Sequence, residues 1–442
     1  MERFTCDWIF GILVVLCDGK VVCGCADPRG ERPLGHLRDS SLGAIWRSEH
    51  VRRIRRELNG GFCEFCRPCG LKRALAATGA APQRPVDQEV LPRIFFEPTV
   101  VCNLDCFQAV CSREADLAAS RERKTFPLDE FKEMMEDVGS GLGRLDFFNY
   151  GEPFAHPQAL DMIEHVKRRY PHVYLYTSTN GLLLDRQRTR RLAQSGIDEV
   201  TFSIDGVDQD TYERYRRGGS LERVLENMAS LVAEKRRLGR EVPFINWRYI
   251  LFRWNDSRRQ MARARRLAAK IGVDRLTWEI TDHPEAARSR RYQIGTRGWR
   301  RIYHEIWDSS QIGSALPGKR FRARIRTARR AVVAAPGEAT ALEVTVRNLG
   351  GAPWLTAAFS GRRWVRLGAQ LHDQGRRLLE LNYARAYLPR PLAGGEKAVL
   401  RIDLPGLTGA GEYCLKLDMV SEGADWFENG GSPVLWLPFI VR

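Results

Sequence analysis

Three cysteines fall within ten residues in "VVCNLDCFQAVCSR", residues 100–113, directly after the apolar run "RIFFEP". Thiolates at such spacing suit a metal or redox centre, because a short loop keeps several sulfurs within reach of one point. Zinc would need a fourth thiolate or imidazole, and none lies close by in the sequence. Three thiolates on a 4Fe–4S cluster would leave one iron without a protein ligand, open to a small molecule. Ten of the eleven cysteines precede residue 112, at 6, 17, 23, 25, 63, 66, 69, 102, 106 and 111, and only Cys414 lies beyond. Clustering of this kind points to metal chemistry in a reducing compartment, so a cytoplasmic protein is expected.

The elements that would position these groups follow from alternating patterns. From Arg93 onward, "RIFFEP", "RLDFFNYG", "VYLYTSTNG", "EVTFSIDG", "PFINWRYILF" and "DRLTWEIT" read as strands. Helical stretches such as "LDEFKEMMEDV" and "LERVLENMASLVAEKRRL" separate them, giving six β/α units at about thirty-residue spacing. The pattern predicts a parallel barrel or open sheet, in which chemistry sits at the carboxyl ends of the strands. The cysteine loop, "NYGEP", "TSTNG" and "SIDG" all fall there. The glycine-bearing "GSGLGR" at 139–144 precedes a strand and lacks a third fingerprint glycine, so it is a helix-to-strand turn and not a dinucleotide site.

Composition narrows the class. With 442 residues, 43% hydrophobic and 28% charged, the chain is a globular protein of several domains. Its formal charge of +16 is scattered over helix faces such as "VRRIRREL" and "RQRTRRLAQ", so nucleic acid is not expected as a partner. No stretch approaches the ~20 apolar residues of a membrane span. The N-terminal apolar run Ile9–Leu16, followed by "CDGK", reads as a β-hairpin and not as a signal peptide. Residues 330–442 alternate apolar and polar with frequent turn signals, predicting an antiparallel β-sandwich. The expected organisation is a cysteine-rich module at 1–75, a linker at 76–92, a β/α domain at 93–310, a linker at 311–329 and the sandwich at 330–442.

With these motifs in order, the β/α region resembles the radical S-adenosylmethionine (SAM) superfamily, whose core is a partial (β/α)6 barrel. "CNLDC" resembles the start of its cysteine loop and "NYGEP" its "GGEP" motif; "STNG" and "SIDG" resemble segments lining SAM. The resemblance implies Cys102, Cys106 and Cys111 as ligands of a SAM-binding 4Fe–4S cluster, and Glu152 as partner of the methionine amino group. It suggests Ser178, Asn180, Ser203 and Asp205 as contacts to the methionine carboxylate and ribose. Arg248 is a further carboxylate partner or a structural arginine. The family spacing C-x3-C-x2-C is here C-x3-C-x4-C, with Ala109 where the third cysteine is expected, so Cys111 must reach across two extra residues.

The N-terminal segment resembles the SPASM domain, which carries an auxiliary iron–sulfur cluster, through "DGKVV", "LGHL", "AIWRSEHVRRIRREL" and a closing C-x2-C. The resemblance implies as ligands Cys6, Cys23 or Cys25, Cys63 and Cys66, with Cys69 a spare or substitute. Here this module precedes the barrel instead of following it. The last domain resembles Ig-like sandwiches of bacterial glycan-assembly proteins, in which Trp354, Trp364 and Trp426 either stack on sugars or form core. Together these imply an enzyme that cleaves SAM reductively and takes a hydrogen atom from a saccharide-linked or peptide substrate. A flavodoxin- or ferredoxin-type electron donor would serve it. The alternative is a non-catalytic relative binding glycan or nucleic acid, with zinc in its thiolates. Cys17 and Cys414 are expected to be ordinary buried cysteines.

Overall fold

The computed structural model describes residues 3–6, 8–24, 27–75, 84–109, 115–240, 242–281, 283–293, 296–302, 305–306, 321–350, 354, 365–389, 392, 394–421 and 425–442. The chain divides into two compact units, Met1–Trp307 and Asp308–Arg442.

In the first unit, six strands run parallel and pair in chain order. They are preceded by β1 (Ile12–Val15), β2 (Lys20–Val22), β3 (Gly35–His36) and helix α1 (Glu49–Asn59). The six are β4 (Arg93–Phe96), β5 (Arg144–Asp146), β6 (Tyr174–Thr179), β7 (Glu199–Ser203), β8 (Phe244–Leu251) and β9 (Arg275–Ile280). Between them lie α2 (Leu128–Val138), α3 (Ala159–Arg169), α4 (Arg186–Gln194), α5 (Leu221–Arg237) and α6 (Arg258–Ile271). Each helix buries one apolar stripe on the sheet; in α2 it is Phe131, Met134, Met135 and Val138. Side-chain oxygens of Asp185, Ser220 and Ser257 accept from the first-turn N–H groups of α4, α5 and α6, which fixes where the helices begin after their strands.

The cysteine-rich segment contributes strands to this same sheet. Strand β1 pairs in parallel with β4, from Ile12↔Arg93 to Val15↔Phe96. The expected hairpin follows as antiparallel β1–β2, and β3 closes that edge. The physical reason is that Leu13, Val14 and Val15 are all fully buried, so β1 has apolar cover on both faces and no solvent side. Helix α1 seals the junction through Arg55. This fully buried guanidinium stacks 3.9 Å from the Trp46 ring and donates to the Ile9 and Val86 carbonyls. Residues 76–83 of the expected linker lie outside the described residues.

A clasp closes the chain leaving β4. Glu97, immediately after the strand, and Arg121 form a doubly hydrogen-bonded ion pair at 2.7 and 3.1 Å, both side chains fully buried. Glu97 Oε1 also accepts from the Cys17 N–H at 3.1 Å, so one carboxylate holds three distant segments. Nearby, the Val100 N–H donates to Lys124 O and the Phe126 N–H to Pro98 O.

In the second unit, Ala323–Arg326, Thr340–Asn348 and Lys397–Leu404 form a three-stranded antiparallel sheet. A larger sheet runs in the order Val332–Ala334, Leu435–Val441, Gly411–Ser421, Val365–Asp373, Leu378–Tyr387, antiparallel except at its first pair. Residues from both sheets, including Val344, Ile402, Leu367, Leu417 and Phe439, make one core. Trp354 and Trp426 are buried, Trp426 beneath the Arg385 guanidinium at 4.6 Å, so neither offers a face to a sugar; Trp364 lies outside the described residues. Cys17 is fully buried as expected, whereas Cys414 is half-buried. Among the described residues no helix is long and apolar enough to cross a membrane.

Replacing Arg121 by Met leaves Glu97 as an unpaired buried charge, and unfolding of the first unit by denaturant should show a loss of about 3–5 kcal/mol. The double variant Glu97→Leu/Arg121→Met should lose less, because no charge is stranded.

Candidate functional site at the strand ends

The cysteine loop leaves β4, passes Cys102 and Cys106, and returns through Arg121. Its base is held by the Glu97–Arg121 clasp. Its middle is pinned from the opposite side of the sheet. The Asp105 N–H donates to Arg217 O at 3.3 Å and the Phe107 N–H to Tyr215 O at 2.9 Å, both in the connection after β7. Cys102 is half-buried and Cys106 buried; Cys111 and Cys25 lie outside the described residues.

Glu152, after β5, is buried and accepts three hydrogen bonds. Oε1 takes the Thr179 hydroxyl at 2.6 Å and the Phe154 N–H at 3.2 Å, and Oε2 takes the Asn180 N–H at 2.7 Å. A carboxylate offers about four acceptor positions, so about one remains, on Oε2. Burial pushes the Glu152 carboxyl above its ordinary 4.5, and these donors pull the other way. Gly151 makes this approach possible. Its φ is +78°, and a Cβ there would lie 2.5 Å from Thr99 O and 2.7 Å from Val100 C. The Glu152 N–H in turn donates to Val101 O at 2.9 Å, joining the β5 end to the cysteine loop.

Asn180, after β6, connects the two halves. Its Nδ2 donates to Asn103 Oδ1 at 2.9 Å and reaches Cys102 Sγ at 3.9 Å, while its Oδ1 accepts from the Leu182 N–H. Ser178 Oγ and Ser203 Oγ lie 3.2 Å apart, and Arg248 Nη2 donates to Ser203 Oγ at 2.8 Å. Arg248 also pairs with Glu279 at 3.2 Å. Cys102, Glu152, Asn180, Ser178, Ser203 and Arg248 thus form neighbouring hydrogen-bonded groups along consecutive strand ends.

Asp205 is different. Its side chain is fully buried, Oδ1 accepts from the Ile250 N–H at 2.6 Å, and Oδ2 accepts from Arg216 Nε at 2.7 Å. These two bonds hold Ile250 and Arg216 in place and leave about two of the carboxylate's four acceptor positions, so the expected contact to bound SAM stays open to it. Sequence reading missed Arg216, whose Nη1 reaches Cys106 Sγ at 3.7 Å. Arg216 lies inside "YERYRRGG", residues 212–219, and nothing in a run of arginines marks the one that turns inward.

In the N-terminal segment, Cys6, Cys23, Cys66 and Cys69 line one cavity with Trp8, Arg32 and Phe65. Cys63 is fully buried close to Cys66 and Glu57. The expected spare, Cys69, therefore faces the cavity, and the expected ligand Cys63 does not line it. Burial, then the proximity of Cys6, Cys69 and Cys63, drives the Cys23 thiol well above its usual range. Thiols so crowded ionise together only beside a compensating cation, which fits an iron–sulfur centre. Among the described residues no three such side chains close on the position of a single ion. At the other site, two thiols with amide and guanidinium N–H donors aimed at their sulfurs likewise fit an anionic cluster.

Comparison with known proteins agrees. Residues 96–240 match the radical SAM superfamily and residues 6–70 match SPASM, an iron–sulfur cluster-binding domain. The chain carries both domains, and they imply a 4Fe–4S cluster, SAM and an auxiliary cluster. Its relatives in sequence are enzymes. The tungsten-containing aldehyde ferredoxin oxidoreductase cofactor-modifying protein of Pyrococcus furiosus is 29% identical over 41% of this chain and 49% of that protein. The PqqA peptide cyclase of Bradyrhizobium diazoefficiens is 31% identical over 27% and 30%. The GTP 3',8-cyclase of Alkaliphilus oremlandii is 28% identical over 29% and 40%. The chain thus spans less than half the length of these relatives. The structure of SuiB from Streptococcus suis bound to SAM is similar with a TM-score of 0.39 at 14% identity, covering 48% of this chain and 46% of that one.

Two glycines of equal φ separate steric crowding from conformational cost. Gly218 (φ +78°) has nothing within 4 Å of a Cβ, so Gly218→Ala should cost about 1–2 kcal/mol. Gly151→Ala should cost clearly more in the same denaturation assay, because the backbone it meets cannot move aside.

Proposed function

We propose that the chain is a radical SAM enzyme acting on a peptide substrate. The observation that carries this reading is the continuous group Cys102–Asn180–Glu152 at neighbouring strand ends, which puts loop thiols beside a buried carboxylate with an acceptor position to spare. In this reading the six parallel strands are a partial (β/α)6 barrel and the second unit is an Ig-like sandwich. Cys102, Cys106 and Cys111 hold the 4Fe–4S cluster, and Cys6, Cys23, Cys66 and Cys69, with Cys25 and Cys63 in reserve, hold the auxiliary one. When bound, the first cluster would supply the single electron for reductive cleavage of the S–C5′ bond of SAM, the chemistry from which hydrogen-atom abstraction from substrate would follow.

The chain's own residues do the positioning. Glu152 accepts the methionine ammonium through its open acceptor position, a charge-assisted bond in a dry setting. Arg248 and the Ser178–Ser203 pair offer donors to the methionine carboxylate. Buried Asp205 orients Arg216 and, through Ile250, the end of β8. A peptide is favoured over a saccharide because PqqA peptide cyclase is among the similar proteins and, among the described residues, the buried Trp354 and Trp426 offer no stacking face to a sugar. A flavodoxin- or ferredoxin-type donor would supply the electron. The competing reading, a zinc-holding relative without catalysis, rests on the four-residue gap between Cys106 and Cys111.

Anaerobic metal and sulfide analysis separates the two readings. About eight irons are expected in the wild type, for two 4Fe–4S clusters, with reductive SAM cleavage. In Cys111→Ala about four should remain, without cleavage. Zinc in the wild type, or four irons untouched by Cys111→Ala, would exclude the catalytic reading.

Glu152→Gln should weaken SAM binding about 10- to 100-fold by calorimetry, the worth of a charged hydrogen bond of about 1.5–3 kcal/mol. The ionised form is the one that accepts the ammonium, and burial raises the carboxyl's pKa. Wild-type affinity should therefore fall with decreasing pH, beginning above pH 4.5, the ordinary carboxyl value, while the Gln variant should lack this dependence.

A further inference from the structure

Two backbone hydrogen bonds bracket one side-chain contact. Asp105 and Phe107 flank Cys106, and their N–H groups donate to the carbonyls of Arg217 and Tyr215, which flank Arg216. This short two-rung pairing centres the Arg216 side chain on Cys106, with Nη1 3.7 Å from Sγ. The other edge of the guanidinium is fixed by Nε donating to Asp205 at 2.7 Å, with the Asp205 side chain fully buried. Asp205 is itself held by the Ile250 N–H. Arg216 is therefore built into place from three sides and has little freedom to turn to solvent.

The surroundings of the two described loop thiols differ. Neutral donors reach Cys102 Sγ, the Leu104 N–H at 3.5 Å and Asn180 Nδ2 at 3.9 Å. The donor to Cys106 Sγ is a permanent cation. A hydrogen bond and a positive charge at a cluster thiolate stabilise the state carrying one more electron, and so raise the reduction potential.

We propose that Arg216 is a positioning residue that raises the reduction potential of the cluster held by the Cys102 loop, acting through Cys106, with Asp205 holding the guanidinium in register. The inference rests on the reading of that loop as a cluster site. The couple concerned is one-electron, with the electron arriving from an external reductant and no proton or bond change at Arg216. Raising the potential lets a reductant of moderate strength charge the cluster.

The test is a redox titration followed by electron paramagnetic resonance, with the core signal identified by its change when SAM is added. Arg216→Met should move the midpoint to a more negative value, and Arg216→Lys, which keeps the charge but loses the fixed fork, should lie between the two. Arg216→Met strands the Asp205 carboxylate and risks misfolding. Asp205→Asn/Arg216→Met removes both charges and should reproduce the negative shift in a folded protein. Midpoints equal to wild type in variants that retain the SAM-responsive signal would overturn the inference and leave the site reading intact. Folded variants that all lose their iron would make Arg216 purely structural and overturn it as well. A wild type with no iron dependent on Cys111 would remove the site reading, and the inference with it.

Discussion

The buried ion pair between Glu97 and Arg121 is the constraint on which the first unit depends. The residues between them include the whole cysteine loop, and a loop of that length without a fixed base would not hold its thiols in one geometry. Taking two charges out of water costs several kcal/mol each, so such a pair persists only where its geometry and hydrogen bonds are complete. Here they are complete: the pair is bidentate, and the spare capacity of Glu97 is used by the Cys17 N–H. That third bond also explains why the N-terminal segment and the parallel strands are one body. The segment just after strand Ile12–Val15 and the loop that carries the chemistry meet on the same carboxylate.

From that base the site is assembled by hydrogen bonds that cross between strand ends. Gly151 lets the β5 connection press against the cysteine loop, Glu152 reaches to the β6 end, and Asn180 reaches back to Cys102. The connection after β7 grips the loop from the far side through Tyr215 and Arg217. Polar groups at these positions are buried and almost fully engaged with one another. Such networks are rigid when satisfied and costly when broken. The acceptor position left on Glu152 is therefore informative, because it is an opening in a network otherwise closed.

The cysteine cavity of the N-terminal segment follows a different logic. Its thiols are crowded and mutually repulsive when ionised, so the segment gains from a cation and is not complete without one. Cys63 and Cys66 sit at the two ends of a short turn, and Cys66 lines the cavity together with Cys69.

The strand and helix segments of the β/α region were legible in the sequence, since apolar runs of period two and stripes of period 3.6 report local geometry directly. So were the positions of Cys102, Glu152, Asn180 and Ser203, because chemistry at strand ends follows from the topology those segments impose. What the sequence did not contain was the partner of each polar group. In the strand Leu378–Tyr387 the apolar positions are broken by "ELN" and "AR", and its place is set by pairing with Val365–Asp373. The N-terminal segment is marked in the sequence by its clustered cysteines, and β1 joins the sheet, since only parallel pairing covers both of its faces. Asp205 was legible as a strand-end carboxylate, but not that Arg216 in the following connection would turn inward to it, nor that Arg216 would reach Cys106, in a segment 110 residues away. Local pattern fixes which residues can be buried or exposed. Which buried charge meets which depends on contacts that form only when the whole sheet has closed.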